Sequence, residues 1–445
     1  MRLFEPHRDV IARRAFILSA LILAFGYGVV AASYNLFPVP LIQDARLTAN
    51  DLLRMTGIVQ PWYYDRSDQA QAAHIRSAHG VAPGLRLISG LTRDGSTVAN
   101  VVDVHGHVVH TWAIEWNQIW PDSTHLTPDL LPRWSPTTVH GLALADNGDL
   151  VFNFEERGMV RLDACGGVVW RLPYRTHHSI HFDERGHIWA PGLITRTEES
   201  ARLPNYRAPF QDYTVLEVSP GGRILTEFFV ADMLVANGLG GLLYMSMSND
   251  TTTVGGDTLH LNDVETFPTS LSPGIFAPGD IMISLRNINA IVVFDRGRRV
   301  KYVSVGAVLR QHDPDFVDGN TIAVFDNNNL SREQFDGPPD PDGRYSRIVG
   351  LSALTTDLDV LFSGSRERPF FTHIMGKHQL LPNGNRLLTE SVAGRVLEID
   401  AAGNIAWEYF NVLGDGRVGM INDALWLPDT FTPAFFASAS AACEG

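Results

Sequence analysis

The chain reads as an all-β protein, a six-bladed β-propeller preceded by a transmembrane helix. Three observations carry that reading: a unit that recurs along the chain, a count of six such units, and one uncharged apolar run near the N-terminus. The clearest unit is HGLALADNGDLVFNFEERGMVRLDACGGVVWRL, His140 to Leu172. It alternates short apolar strands (LVFNF, MVRLD, VVWRL) with tight polar or Gly turns, at the lengths and period of antiparallel sheet. Degenerate copies follow in HSIHFDERGHIWAPG, FAPGDIMISLRNINAIVVFDRGRRVKYV, HDPDFVDGNTIAVFDN and LPNGNRLLTESVAGRVLEIDAAGNIAWEYF.

In chain order, residues 1–14 carry Arg2, Arg8, Arg13 and Arg14 and read as a basic segment held in the cytoplasm. Ala15 to Phe37 is apolar and long enough for a helix to cross the hydrocarbon layer. An uncleaved anchor is preferred to a signal peptide, because the run exceeds the usual length of a signal peptide's apolar core. Residues 38–83 read as a stalk with short helices. Units then begin near Leu85, His140, His178, His260, His312 and His373, and the span 84–411 is assigned to the propeller. Closure is expected to use the strands after Gly84 to complete the last blade, with the fourth strand of some blades drawn from segments such as DYTVLEV and GGLLYMSMS. The tail, 412–445, is apolar enough to pack on the rim.

Composition narrows the function. Of 445 residues, 49 are acidic and 35 basic, for a formal charge of −14, and no Arg/Lys stripe is present to neutralise phosphates, so nucleic acid is excluded as a partner. Cys165 and Cys443 form no metal-ligand spacing, and pair only if the compartment is oxidising.

Aligning the copies on their turn glycines brings histidines into register: His140 and His178 lie eight residues before Gly148 and Gly186, and His312 seven before Gly319. His260 heads the fourth unit, separated from Gly279 by the insertion LNDVETFPTSLSPGIFAP. The first strands of propeller blades surround the axis, so these imidazoles are expected to converge at the channel mouth, unless each is bonded within its own blade. Arg286, in MISLRN, falls where other units carry Glu155, Asp326 or Glu390. Its planar fork suits an oxyanion, the alternative being an ion pair to Glu155 or Asp326. Converging imidazoles could also ligate a metal, with Asp263 and Asp313 as supporting carboxylates, although a nearby arginine favours an anion instead. The residues alone leave three classes open: transfer of an oxyanion ester, a His-ligated metalloenzyme, and a non-catalytic ligand-binding or scaffold propeller.

The ordered set THHSIHFDERGHIW, DTLHLNDVETF with GDIMISLRN, QHDPDF with NTIAVFDNN, and HQLLPNGNRLLTE resembles the arylsulfotransferase family over about residues 85–411. The resemblance implies a periplasmic six-bladed propeller that moves a sulfuryl group from an aryl sulfate donor to a phenolic acceptor through a sulfohistidine, with no cofactor and no metal. It places the nucleophile at His312, assisting histidines at His178 and His260, and the oxyanion-binding arginine at Arg286. Asn262 then orients His260 or touches the donor, with His177 and Asn327 also at the substrate and the choice between His177 and His178 as the channel-facing residue left open; His140 has no counterpart among the family's catalytic residues and is expected as a structural or substrate-lining member of the ring. With residues 15–37 as anchor, the expected location is the bacterial inner membrane, single-pass, with the propeller in the periplasm; a homodimer is allowed for.

Overall fold

The computed structural model describes residues 5–34, 36–39, 41–42, 45, 63–77, 80–127, 130–132, 138–245, 247, 253–329 and 345–443. Arg2, residues 46–62 of the expected stalk, and DNNNLSREQFDG from Leu330 onward lie outside these. The chain divides into two units, Met1–Pro61 and Trp62–Gly445. In the first, one helix runs Glu5–Tyr34, and its segment Val10–Tyr34 has a mean hydropathy of 2.2. At 1.5 Å per residue that segment is about 37 Å long, enough to cross a hydrocarbon core of about 30 Å.

Among the described residues of the second unit, the repeats form six sheets of four or five strands, antiparallel except where Val254–Gly256 adds in parallel to the third, giving an all-β, propeller-like architecture. Taken from their first strands outward, the second to fifth sheets run in sequence order from Val139–Leu144, His181–Phe182, Leu261–Thr266 and His312–Asp318. The sixth sheet begins at Lys377–Leu380 and is extended on its outside by Ala73–Ile75. In the first sheet the leading strand is Ile421–Trp426, paired with Arg86–Leu91. The C-terminal segment therefore completes the first sheet, rather than the residues after Gly84 completing the last. Residues 412–445 are likewise more than a rim tail: Val412–Gly414 and Arg417–Gly419 form a small further sheet with Tyr64–Arg66, Ile421–Trp426 joins the first sheet, and the helix Pro433–Cys443 stacks its Phe436 against His110. Tyr64–Arg66 and Ala73–Ile75 are strands of this unit rather than stalk helices. DYTVLEV lies in the long strand Tyr206–Val218 as expected, but Gly240–Tyr244 is a 3₁₀ turn.

The repeated Asp, Gly and Trp each have a mechanical reason. Asp163 Oδ1 accepts the amides of Cys165 and Gly167 at 2.8 Å, and Asp400 treats Ala402 and Asn404 in the same way, which closes the turn. The tryptophan that follows then donates its indole N–H to a turn of the neighbouring sheet: Trp112 to Asp163 O, Trp170 to Pro220 O, Trp407 to Val104 O. First and sixth sheets are further joined by Arg86 and Glu398, both fully buried and 2.8 Å apart. Neither charge is stranded, because Glu398 also accepts from Ala82 N and Asn385, and Arg86 donates to the carbonyls of Ala82 and Gly84. Cys165 and Cys443 form a disulfide that ties the C-terminal helix to a turn of the second sheet.

The feature that positions the site is a bulge at the head of the leading strands. Register slips by one residue between Val139 and Leu142, Leu261 and Asp263, His312 and Pro314, and Ile421 and Asp423. Left-handed backbone falls inside two of these slips, at Gly141 (φ 79°) and Asp313 (φ 49°), just before a third at His260 (φ 53°), and also at His178 (φ 57°) ahead of the third sheet's leading strand. A bulge re-aims the side chains beside it, here toward the neighbouring strands. At Gly141 no other residue is tolerated, because a Cβ would lie 1.5 Å from the carbonyl oxygen of His178.

Candidate active site

The sequence alignment put four histidines at one repeat position, but the bulges show them to be two kinds. His140 and His312 precede the left-handed residue, whereas His178 and His260 are themselves that residue. Their rings converge all the same. The His178 ring centroid lies 4.0 Å from His140, 4.9 Å from His260, 4.9 Å from His177 and 6.0 Å from His312. His178 is thus the centre of the cluster, while His177 sits behind it against Tyr213, with ring centroids 5.7 Å apart.

Hydrogen bonds assign the protons. Asn327 donates its amide hydrogens to the carbonyls of Thr372 (2.9 Å) and Met375 (2.8 Å), so its oxygen is the atom 2.7 Å from His312 Nδ1. His312 therefore donates from Nδ1 and carries a lone pair on Nε2, a buried atom with no partner of its own among the described residues. A second chain of bonds runs through the other rings. His260 Nδ1 donates to Asp257 Oδ2, leaving its Nε2 to accept from His178 Nε2 at 3.3 Å. His178 Nδ1 then accepts from His177 Nδ1 at 2.7 Å. On the far side, His140 donates from Nδ1 to Glu155 Oε2 at 2.9 Å.

Electrostatics agree with neutral rings. Burial, reinforced by the charge of Arg286, pushes His312 well below the usual imidazole range. Burial together with His140, His260 and His177 does the same to His178, and burial brings His177 down to about 3. Glu155 and Asp257 behave in the opposite sense. Burial alone would raise both, but His140 on one side and the His260 hydrogen bond on the other hold each at about 2, so both stay ionised.

Arg286 leaves the strand Ile281–Leu285 in a 3₁₀ turn, its amide bonded to His260 O at 3.0 Å. Its guanidinium donates from Nε to Asn287 Oδ1 (3.2 Å) and lies 4.0 Å from Asp257 Oδ2. The alternative partners are engaged elsewhere, Glu155 by His140 and Asp326 by Arg347. Asn262 donates to Gln311 O at 2.7 Å, which ties the fourth strand head to the residue before His312. Asp257 and Tyr213, whose hydroxyl reaches Asp257 Oδ1 at 2.6 Å, were missed in the sequence because neither occupies a repeat position. Asp263 and Asp313, expected to support a metal at the histidines, instead surround Lys377, with Asp313 Oδ1 2.9 Å from its Nζ. A cation at the cluster would fall to His140, Glu155 and His178, whose donor atoms lie within 4.8 Å of one another. A cavity of about 680 Å³ is lined by Leu130, Glu156, Tyr174, Arg175, Leu193 and Ile194, among others, and by none of the cluster's histidines.

The family model described as Arylsulfotransferase (ASST) matches residues 141–412, more than half of the chain and every residue of the histidine cluster but His140. The chain belongs to the arylsulfotransferase family. No curated protein sequence matches it. Among solved structures, a Bacteroides caccae protein of unknown function is 10% identical with a TM-score of 0.44, over 76% of this chain and 98% of its own. TolB from Acinetobacter baumannii is 12% identical with a TM-score of 0.42, over 78% of this chain and 67% of its own. The WD40 β-propeller domain of Doa1 is 12% identical with a TM-score of 0.39, over 81% of this arylsulfotransferase-family chain and 95% of its own.

Proposed function

We propose that the protein transfers a sulfuryl group from an aryl sulfate to a phenolic acceptor, with His312 carrying the group between them. The observation that carries the reading is the Nε2 lone pair of a neutral His312, its tautomer set by Asn327, in a cluster that also holds Arg286. Nε2 attacks sulfur as the sulfur–oxygen bond to the aryl group breaks, and Arg286 balances charge on the sulfuryl oxygens. The departing phenolate takes a proton from the His177–His178–His260–Asp257 chain, which recovers it from the incoming phenol. Burial keeps His178 and His260 neutral, and the arriving anion is what raises them.

His312 Nε2 is shielded by its neighbours, whereas the side chains of His260 and Arg286 keep 13% and 17% of their surface exposed, so the donor enters past these two. The six sheets act as six blades of a closed ring, with the C-terminal strand as its clasp. The helix Val10–Tyr34 anchors the chain with its catalytic unit in the periplasm, an oxidising compartment in keeping with the Cys165–Cys443 disulfide. Phenol release from an aryl sulfate, measured with and without a second phenol, tests the reading. Donor turnover that rises with acceptor is expected; no phenol release from a panel of aryl sulfates refutes it.

A further inference from the structure

Beyond the histidines, the same leading strands carry a second cluster. Asp263 and Glu265 alternate along the fourth sheet's strand, Asp313 and Asp315 along the fifth, and Asp423 comes from the first. Lys377 bonds Asp313 at 2.9 Å, and Arg386 is the further cation acting on Asp315. Five carboxylates, of which Asp263, Asp313 and Asp423 are buried and Asp315 keeps 36% of its side chain exposed, stand against two cations and leave negative charge to be met by protons or another cation. The polar atoms left over point to the cation. The His378 side chain is fully shielded and neither ring nitrogen has a hydrogen bond of good geometry; the other polar neighbour of the ring is the Ala323 backbone. His378 Nδ1 nevertheless lies 3.2 Å from Asp315 Oδ2. Glu265 Oε2 and Asp423 Oδ1 are also buried without partners.

We propose that Asp313, Asp315 and His378 form a divalent-cation site, with Glu265 as its fourth protein ligand. The donor atoms of the first three lie within 4.8 Å of one another, so small rotamer shifts bring them to the distances of about 2.0–2.3 Å that such ions take. Mixed carboxylate and imidazole donors select Mn²⁺ or Zn²⁺ rather than Ca²⁺ or Mg²⁺. The ion supplies the missing positive charge and cross-links the leading strands of the fourth, fifth and sixth sheets. It takes no part in sulfuryl transfer, and stands or falls independently of that reading.

The full chain, stripped with EDTA and dialysed against Mn²⁺, gives the test. One tightly bound Mn²⁺ per chain is expected, with an imidazole nitrogen coupling in pulsed EPR and a raised melting temperature. Asp315→Asn and His378→Gln each weaken Mn²⁺ at least tenfold, while His140→Ala leaves its affinity unchanged. Should either channel variant fail to fold, Glu265→Gln and the wild-type nitrogen coupling decide the matter. Absence of bound Mn²⁺ and of bound Zn²⁺ in the reloaded wild type overturns the proposal. So does binding that is lost in His140→Ala, which would place the ion at the sulfuryl site.

Discussion

At the heads of the leading strands, five imidazoles (His140, His177, His178, His260, His312) gather with two carboxylates, Glu155 and Asp257; a few residues further along, five carboxylates gather round Lys377. Both groups are buried, yet they handle charge in opposite ways. At the histidine end, burial keeps His177, His178, His260 and His312 neutral, so the unspent electrostatic capacity there, together with Arg286, is for an anion. At the carboxylate end, burial and the neighbouring acids raise Asp263 to about 7 and push Glu265 and Asp315 well above the usual carboxylate range, so the unspent capacity there is for a cation. Chemistry that transfers an anionic group belongs at the first end, and structural cohesion at the second.

Substitutions separate the two ends. His312→Ala is expected to lower turnover on the order of 10⁴-fold or more while leaving the melting temperature near wild type, because it removes the nucleophile and no ion pair. Arg286→Ala is expected to cost about 3–4 kcal/mol of transition-state stabilisation, read as a fall of roughly 10²–10³ in kcat/KM for the donor. Lys377→Met breaks the comparison from the other side. It strands Asp313 in a buried site, and thermal or urea unfolding is expected to show a loss of about 3–5 kcal/mol. Asn327→Ala frees the His312 ring to take the other tautomer, for an expected fall of about 10–100-fold in kcat with donor KM little changed.

The smallest effect is in pH dependence, where the ends have opposite signs. His177, His178 and His312 have folded values below the ordinary 6.5, so the unfolded chain binds more protons as pH falls, and their contribution to stability is lost from 6.5 downward. Asp263, which burial raises from 3.8 to about 7, works the other way, costing stability as pH rises between those values. In EDTA-treated protein, Asp263→Asn should therefore gain on wild type as pH climbs from 4 to 7, by a few degrees in Tm. A variant that tracks wild type across that range would show that the carboxylate end carries no strained charge.

The repeat grammar was legible because it is mechanical: Asp163 closes its own turn, and Trp112 and Trp170 lock neighbouring sheets, so composition and spacing both record them. His312, His178, His260 and Arg286 were legible because equivalent repeat positions converge. The bulges were not, since left-handed backbone at His178 or Asp313 has no sequence mark comparable to Gly141. Nor was the clasp: INDALW, Ile421–Trp426, has no unit following it and is completed only by strands more than 300 residues earlier. Asp257 escaped for a similar reason, lying in a connection that belongs to no repeat and meeting the cluster through His260, Tyr213 and Arg286.

The account turns on one nitrogen, His312 Nε2. Brief mixing of the purified protein with an aryl sulfate in the absence of acceptor, followed by intact mass and peptide mapping at alkaline pH, examines it directly. One SO₃ group added to the peptide containing His312, absent from His312→Ala and discharged by a phenol, is the predicted result. An SO₃ group mapped to His178, His260 or any other residue, or turnover that persists in His312→Ala, would contradict it.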